Sequence, residues 1–269
     1  MSLDLPHPEQ AGVSILDAYV QEPPSGRNAT NIFANEWSSR LPSPYEDCTG
    51  AAELFDDPRI SWASDLLGGF EGLRVLELGP LEAGHTTMLE RGGAESILSI
   101  ESNVRAYLKC LIVKEVLGLR RAQFMLGDFL PYLEMNQGTF DLCVASGVLY
   151  HMVEPMEFLG LLGRTSDRVL LWTHYYDESA VAAEPELTGK FGPSESDLHQ
   201  DIAYVRYKYI YGEALRWGGF CGGTRPYSYW LRREDILGIL RHMGYKDLSV
   251  NFDNLRHPNG PAFAVLARR

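Results

Sequence analysis

Cysteine is scarce in this chain: four in 269 residues, at positions 48, 110, 143 and 221, none in C-x-x-C spacing. So few, so scattered, suit neither a disulfide framework nor a thiolate metal site. Cys110 and Cys143 fall inside apolar stretches and read as small buried hydrophobes. Long apolar runs are also missing. Nothing approaches the roughly 18 uncharged apolar residues that a membrane-spanning helix needs. The first residues lack a basic-then-apolar export pattern, so a cytoplasmic protein is expected. Positive charge is in deficit, with 24 Lys and Arg against 36 Asp and Glu, a net charge of −12. Nucleic-acid binders use a basic face to displace counterions from phosphates. The deficit therefore counts against DNA or RNA and favours a small-molecule partner. His199 has Asp197 and Asp201 nearby, but no second histidine sits at ligand spacing, so no metal is expected.

What is present suits an α/β domain. Hydrophobic residues make up 45% of the chain, enough for a sizeable core. Apolar runs over 73–78, 96–100, 122–126, 140–145 and 169–173 read as strands. Helical patterns follow Gly84 and span 104–117 and 155–163. Near-continuous apolar strands separated by helices imply a parallel sheet covered on both faces. A helix over 233–242 and two strands, 248–252 and 262–267, close the chain, the strands pairing as an antiparallel edge. The expected fold is a doubly wound, mostly parallel, seven-stranded α/β sheet of Rossmann-like kind.

Two additions flank that sheet. Residues 1–69 read as an N-terminal arm with helices that cover the site. They include a helix over 58–67 and a short amphipathic one over 31–40, with Ile32, Phe33 and Trp37 on one side. Residues 70–269 form the main domain. Within it, 174–230 is a tyrosine- and glycine-rich insertion expected to act as a lid or substrate pocket.

Four constellations carry chemistry. The first runs from Glu77 through Gly79 to Gly84, a strand feeding a tight turn and a helix. In a dinucleotide fingerprint the middle glycine lets the backbone touch a pyrophosphate. Leu81 stands there instead, which disfavours NAD or FAD and suits a nucleoside without phosphate. The second is Glu101, a carboxylate at a strand end that can accept hydrogen bonds from a ribose diol. The third is Asp128 with Phe129, an acceptor for an adenine amino group beside an apolar ring; the alternative is a plain capping acid. The fourth runs through Ser146 to Tyr150 and His151, where strand ends face the crevice of an open α/β sheet. His151, His174 and Tyr175 are the candidate general bases.

The order Glu77-x-Gly79, Glu101, Gly127-Asp128 and Phe140-Asp141 through Tyr150-His151 resembles the class I S-adenosylmethionine-dependent methyltransferases. Gly147 to His151, with the helix from Leu108-x-Cys110 to Val116-Leu117-Gly118, resembles more closely the wobble-uridine tRNA enzymes that use carboxy-S-adenosylmethionine. The likeness departs at the longer first turn and at Met152, where that family has a basic residue. It implies S-adenosylmethionine as cofactor, with Glu77, Gly79, Gly84, Glu101, Asp128, Phe129, Ser146 and Trp37 around it. Tyr150, His151 and His174 would then face the reacting methyl. The implied activity is methyl transfer to oxygen or nitrogen of a small molecule, with S-adenosylhomocysteine as product. Assembly into oligomers is compatible with this reading. One rival is a tRNA-modifying enzyme, which predicts a contiguous basic surface drawing on Arg206, Lys208, Arg216, Arg225, Arg232 and Arg233. Another is a non-catalytic cofactor-binding module.

Overall fold

In the computed structural model the described residues are 19–48, 50–135, 138–217 and 219–269. The strands form where β-branched and leucine-rich runs end in glycine or polar residues: β1 Arg74–Leu78, β2 Ser96–Glu101, β3 Ala122–Leu126, β4 Leu142–Ser146 and β5 Arg168–His174. Helices connect them: α3 Gly84–Arg91, α4 Val104–Leu117, α5 Phe129–Glu134 and α6 Pro155–Thr165. After the insertion come α9 Arg233–His242, β9 Asp247–Asn254 and β10 Ala262–Arg268. The seven strands lie in the order β3-β2-β1-β4-β5-β10-β9. β1 to β5 pair in parallel, and β10 runs antiparallel to both β5 and β9.

Helix ends follow local chemistry. α2, Pro58–Leu67, starts with Asp57 accepting the Arg59 N–H and stops at Gly68 in the left-handed region. α4 starts with Asn103 accepting the Ala106 N–H and stops at Gly118. These bounds match the sequence expectation.

Two apolar layers sandwich the sheet, and the strand alternation sorts residues between them. Leu76, Leu78, Cys143 and Leu171 face Phe158, Leu162 and Ile236 from α6 and α9. Val75, Val144 and Leu170 face Ile60, Leu89 and Val113 from α2, α3 and α4.

Two expectations need correction. The helix predicted over 31–40 is α1, Gly26–Asn31, started by the Ser25 hydroxyl accepting the Asn28 N–H. The chain turns beyond it, with Asn35 left-handed at φ 65°. Phe33 and Trp37 are buried there while Ile32 is exposed, so the three do not share a face. Second, α5 was not anticipated, because Asp128 and Phe129 were read as ligand groups. The insertion, expected to be a lid or substrate pocket rather than a bare loop, is a folded unit. It holds two short helices, α7 Glu178–Ala183 and α8 Pro185–Thr188, then an antiparallel sheet of β6 Phe191–His199, β7 Ile202–Ile210 and β8 Tyr227–Leu231. The sheet docks on the main domain through the Tyr229 N–H, which donates to the Met152 carbonyl at 2.9 Å.

Phe158 is fully buried in the α6 layer, its ring 5.5 Å from that of Phe129. Phe158→Ala should lower the unfolding free energy by about 3–5 kcal/mol, the usual cost of an emptied aromatic site. Urea unfolding checks it; a loss below about 1 kcal/mol would contradict this packing.

Candidate functional site

The carboxyl ends of β1, β2, β4 and β5 form one rim, and the turn after β1 is its first part. Gly79, Leu81 and Ala83 all have left-handed backbone, at φ 68°, 55° and 60°. Leu81 and Ala83 pay a steric cost there that glycine would not. Gly79 has no substitute: a Cβ on it would lie 2.6 Å from Val148 Cγ1. At the end of β2 the Glu101 carboxylate holds this turn. Its Oε2 accepts the Leu81 N–H at 3.2 Å and its Oε1 the Asn103 N–H at 2.8 Å. Burial raises the Glu101 pKa, and those backbone donors only partly offset it. A buried carboxylate with one donor on each oxygen has room for two more.

At the end of β4, Gly147 is left-handed at φ 93° and the chain enters a 3₁₀ turn, Leu149–His151. This turn presents Tyr150 and His151. The His151 Nδ1 lies 2.7 Å from the Tyr211 hydroxyl of the insertion. At the end of β5, the His174 Nδ1–H donates to the Gly260 carbonyl at 2.9 Å. That bond assigns the proton to Nδ1 and leaves Nε2 as a lone-pair acceptor. The His174 ring stacks on Trp230 at 5.2 Å and meets Tyr150 edge-on at 4.6 Å. Trp230 stacks in turn on Tyr209 at 4.7 Å. Burial pushes the His151 imidazole down to about 3, with nearby His174 adding to the shift. Burial likewise lowers His174 to about 4. Both rings are therefore neutral near pH 7. Burial also raises the Tyr150 hydroxyl well above its ordinary value, so it stays protonated.

The insertion closes over this rim. The Asn103 side-chain amide donates to the Phe220 carbonyl at 3.4 Å. A Cβ on Gly222 would lie 3.0 Å from His151 Nδ1. Between Leu81, Glu82, Asn103, Lys109 and Phe220 a cavity of only about 20 Å³ is left. A larger cleft of about 210 Å³ lies at the opposite edge, beside Asp141, Arg168 and Arg269, far from these groups.

Gly79, Glu101, Ser146, Tyr150, His151 and His174 thus share the carboxyl-end rim. Others read as site residues have different work. Glu77 is 1% exposed. Its Oε2 accepts hydroxyl hydrogen bonds from Thr86 and Ser99, which ties β1 to α3 and β2, while its Oε1 is buried with no partner among the described residues. Gly84 is a packing glycine: a Cβ there would sit 2.6 Å from the Leu54 carbonyl oxygen. Asp128 caps α5 by accepting the Leu130 N–H at 2.9 Å, the capping role its sequence context also allowed. Phe129 turns into the core. Trp37 is buried in the arm, its indole N–H donating to the Thr30 carbonyl at 3.0 Å. Tyr175 points away from the rim, donating to Asp253 at 2.9 Å. His199 packs near Gly160 instead. Among the described residues no cluster of three or more His, Cys, Asp or Glu could hold a metal ion.

Residues not anticipated complete the site. Trp172 lies edge-on to Tyr150 at 6.0 Å, and Arg59 lies over its ring at 4.3 Å. His257 lies 5.0 Å from His174. The pairing of Ala262 with His174 across β10 and β5 brings the loop carrying His257 to this spot. The sequence marks the last two strands as an antiparallel edge but not that β10 joins β5, and that pairing was the missing signal.

No family model and no curated protein matches this sequence. Solved structures do match. The N-terminal domain of EvdMO1 with SAH bound aligns at TM-score 0.65 and 22% identity, covering 91% of this chain and 94% of that one. Magnesium protoporphyrin IX methyltransferase from Synechocystis PCC 6803, with bound SAH, aligns at 0.53 and 17%, covering 79% and 81%. The 1,6-didemethyltoxoflavin-N1-methyltransferase of Burkholderia thailandensis, with its substrate and S-adenosylhomocysteine, aligns at 0.50 and 12%, covering 81% and 78%. The chain has the class I methyltransferase fold. At these identities the likeness concerns architecture alone.

The lowered histidines make a pH prediction. Unfolded, both titrate near the ordinary value of about 6.5. As pH falls below that, the unfolded chain binds protons that the folded chain refuses, so stability drops. The loss should run from about pH 6.5 down through about 4 for His174. Urea midpoints at pH 7.5 and 5 measure it, and His174→Gln should flatten the dependence. An unchanged slope in that variant would contradict the assignment.

Proposed function

We propose that this chain is an S-adenosylmethionine-dependent methyltransferase acting on oxygen or nitrogen of a small molecule. The observation that carries this is Glu101, a buried, donor-poor carboxylate at the end of β2, bonded to the turn of β1. A ribose diol supplies the two donors such a carboxylate has room for. Leu81 in the turn suits a cofactor without phosphate, and Ser146 and Gly147 line the next strand end. The residues present therefore fit the cofactor. When bound, it supplies an electrophilic methyl on a sulfonium.

The chain's own groups align the acceptor and exclude water. Tyr150 and the Trp230 stack wall the acceptor side. The His174 Nε2 is neutral and has no partner among the described residues, placed to take a proton from an acceptor hydroxyl or amine. His151, bonded to Tyr211, links that wall to the insertion. In this reading 174–230 is the lid and the N-terminal arm covers the cofactor. A cavity of about 20 Å³ admits no nucleoside, so Phe220 and Cys221 move aside on binding. Cys110, Cys143 and Cys221 are free thiols, which suits a reducing cytoplasm.

The tRNA alternative finds little support in the surface. Arg206 is ringed by Glu154, Glu195 and Asp197 within 3.5 Å. Arg216 pairs with Glu213, and Arg233 with Asp253, each at 2.8 Å. With three of the six cations so neutralised, a contiguous basic face for phosphates is disfavoured.

Titration calorimetry with S-adenosylmethionine and S-adenosylhomocysteine tests the proposal. Wild type should bind both, and Glu101→Gln should bind at least about 10-fold more weakly, the loss of one charged hydrogen bond. No binding by wild type would sink it. Hydrogen exchange should also rise or fall in residues 219–223 when S-adenosylhomocysteine is added. Unaltered exchange there would rule out the lid movement.

A further inference from the structure

We propose that Arg59 and His257 recognise an acidic acceptor, a planar molecule that carries a carboxylate as well as the group to be methylated. The inference rests on the methyltransferase reading and names the substrate class of the same site.

Arg59 reaches this site from the N-terminal segment. Its Nε and Nη2 both donate to Asp57, the residue that caps its own helix. Asp57 is further held by His85 Nε2 at 2.8 Å and by the Arg59 backbone N–H at 2.9 Å. Burial acts to raise the Asp57 pKa, but the bonds from His85 and Arg59 outweigh it, and the acid stays charged. The clamp fixes the plane of the guanidinium, and Trp172 lies under it at 4.3 Å. An arginine immobilised on both sides has little entropy left to lose on binding.

Asp57 alone would be satisfied by the Nε–Nη2 edge. The remaining nitrogen, Nη1, has no protein partner among the described residues, and the side chain keeps 17% exposure. It lies beside a group of rings rather than in open solvent. Trp172 contacts Tyr150, His174 and His257 at 6.0, 5.1 and 5.8 Å. The positive charge also helps to lower His257, after burial.

His257 adds a second donor. Its Nδ1 accepts the Asn259 N–H at 3.2 Å, so the neutral ring carries its proton on Nε2. His174 has the opposite tautomer, with Nε2 as acceptor. The cluster thus combines two unused donor groups, one cationic, with one unused acceptor, inside aromatic walls. Its complement is a flat anion with a protonated hydroxyl or amine. The carboxylate would meet Arg59 and His257, and the proton to be lost would meet His174. In a chain of net charge −12, a fixed cation at this spot also draws an anion to the site rather than to the surface.

The test uses 4-hydroxybenzoate and its neutral isostere 4-hydroxybenzamide as probes, on the full chain saturated with S-adenosylhomocysteine. Ligand-observed NMR and calorimetry should show the acid binding at least about 10-fold more tightly than the amide. Arg59→Gln should abolish that preference, and Arg59→Lys should retain part of it. S-adenosylhomocysteine affinity should stay within about 2-fold of wild type in both variants, so loss of the cofactor reading would be seen separately. Equal binding of acid and amide by wild type, binding of neither, or an acid preference that survives Arg59→Gln would each overturn the proposal. The wild-type comparison stands even if Arg59→Gln fails to fold.

Discussion

One buried carboxylate, Glu82, joins the parts that the rim depends on. It accepts the Ser38 and Ser39 N–H groups of the N-terminal arm, and the Lys109 ammonium of α4 at 2.7 Å. Its side chain is 1% exposed and that of Lys109 6%. Two charges are kept out of water only because each has several partners; breaking such a pair costs on the order of 3–5 kcal/mol. Glu82 sits in the turn after β1, between two left-handed residues. The arm, the turn and α4 are therefore fixed to one another at a single point. Glu101 fixes the same turn from the neighbouring strand. The backbone conformation that an unusual Leu81 demands is thus held from two sides, and the strain is repaid by those bonds.

The strands, α2 and α4 were legible because their signals are local. An apolar run ending in glycine, or an asparagine three residues before a helical N–H, needs no tertiary information. The site was legible in part for the same reason: Glu101, Tyr150, His151 and His174 stand at strand ends, and in an open α/β sheet strand ends meet. Phe129 and Trp37 were misread because an aromatic beside a ligand motif has the same sequence signature whether it faces ligand or core. Phe129 lies in the first turn of α5, and that turn points it at Phe158. Arg59 and His257 were missed because their relevance depends on contacts that span more than eighty residues of chain. Nothing near position 59 signals Trp172.

The insertion shows how a tyrosine-rich segment divides its work. Tyr176 and Tyr207 stack at 3.5 Å, and Arg232 donates to the Tyr207 hydroxyl. Tyr229 donates to Glu195 at 2.6 Å. These rings build the small sheet and pair off its cations. Tyr209 and Tyr211, further along the same strand and just past its end, face the other way in function, supporting Trp230 and His151. The insertion therefore carries its own core on one part and the wall of the site on another. The loop at 219–223 is the part of the insertion that bears on Asn103 and His151.

In the methyl transfer we propose, the chemistry of the rim turns on the neutrality of its imidazoles. A histidine with an ordinary pKa would be charged part of the time at neutral pH and would repel a sulfonium. Burial among Trp172, Trp230 and Tyr150 removes that charge and keeps the lone pair on His174. The same burial reduces its basicity, so His174 cannot hold a proton for long. That suits a reaction in which the proton leaves late, as the acceptor already bonds to carbon and its own acidity has risen. An acceptor anchored by Arg59 gains in this scheme, because the guanidinium offsets the carboxylate charge that would otherwise make that proton harder to lose. Aromatic burial, the tautomer set by Gly260 and the clamped guanidinium are then three parts of one electrostatic arrangement.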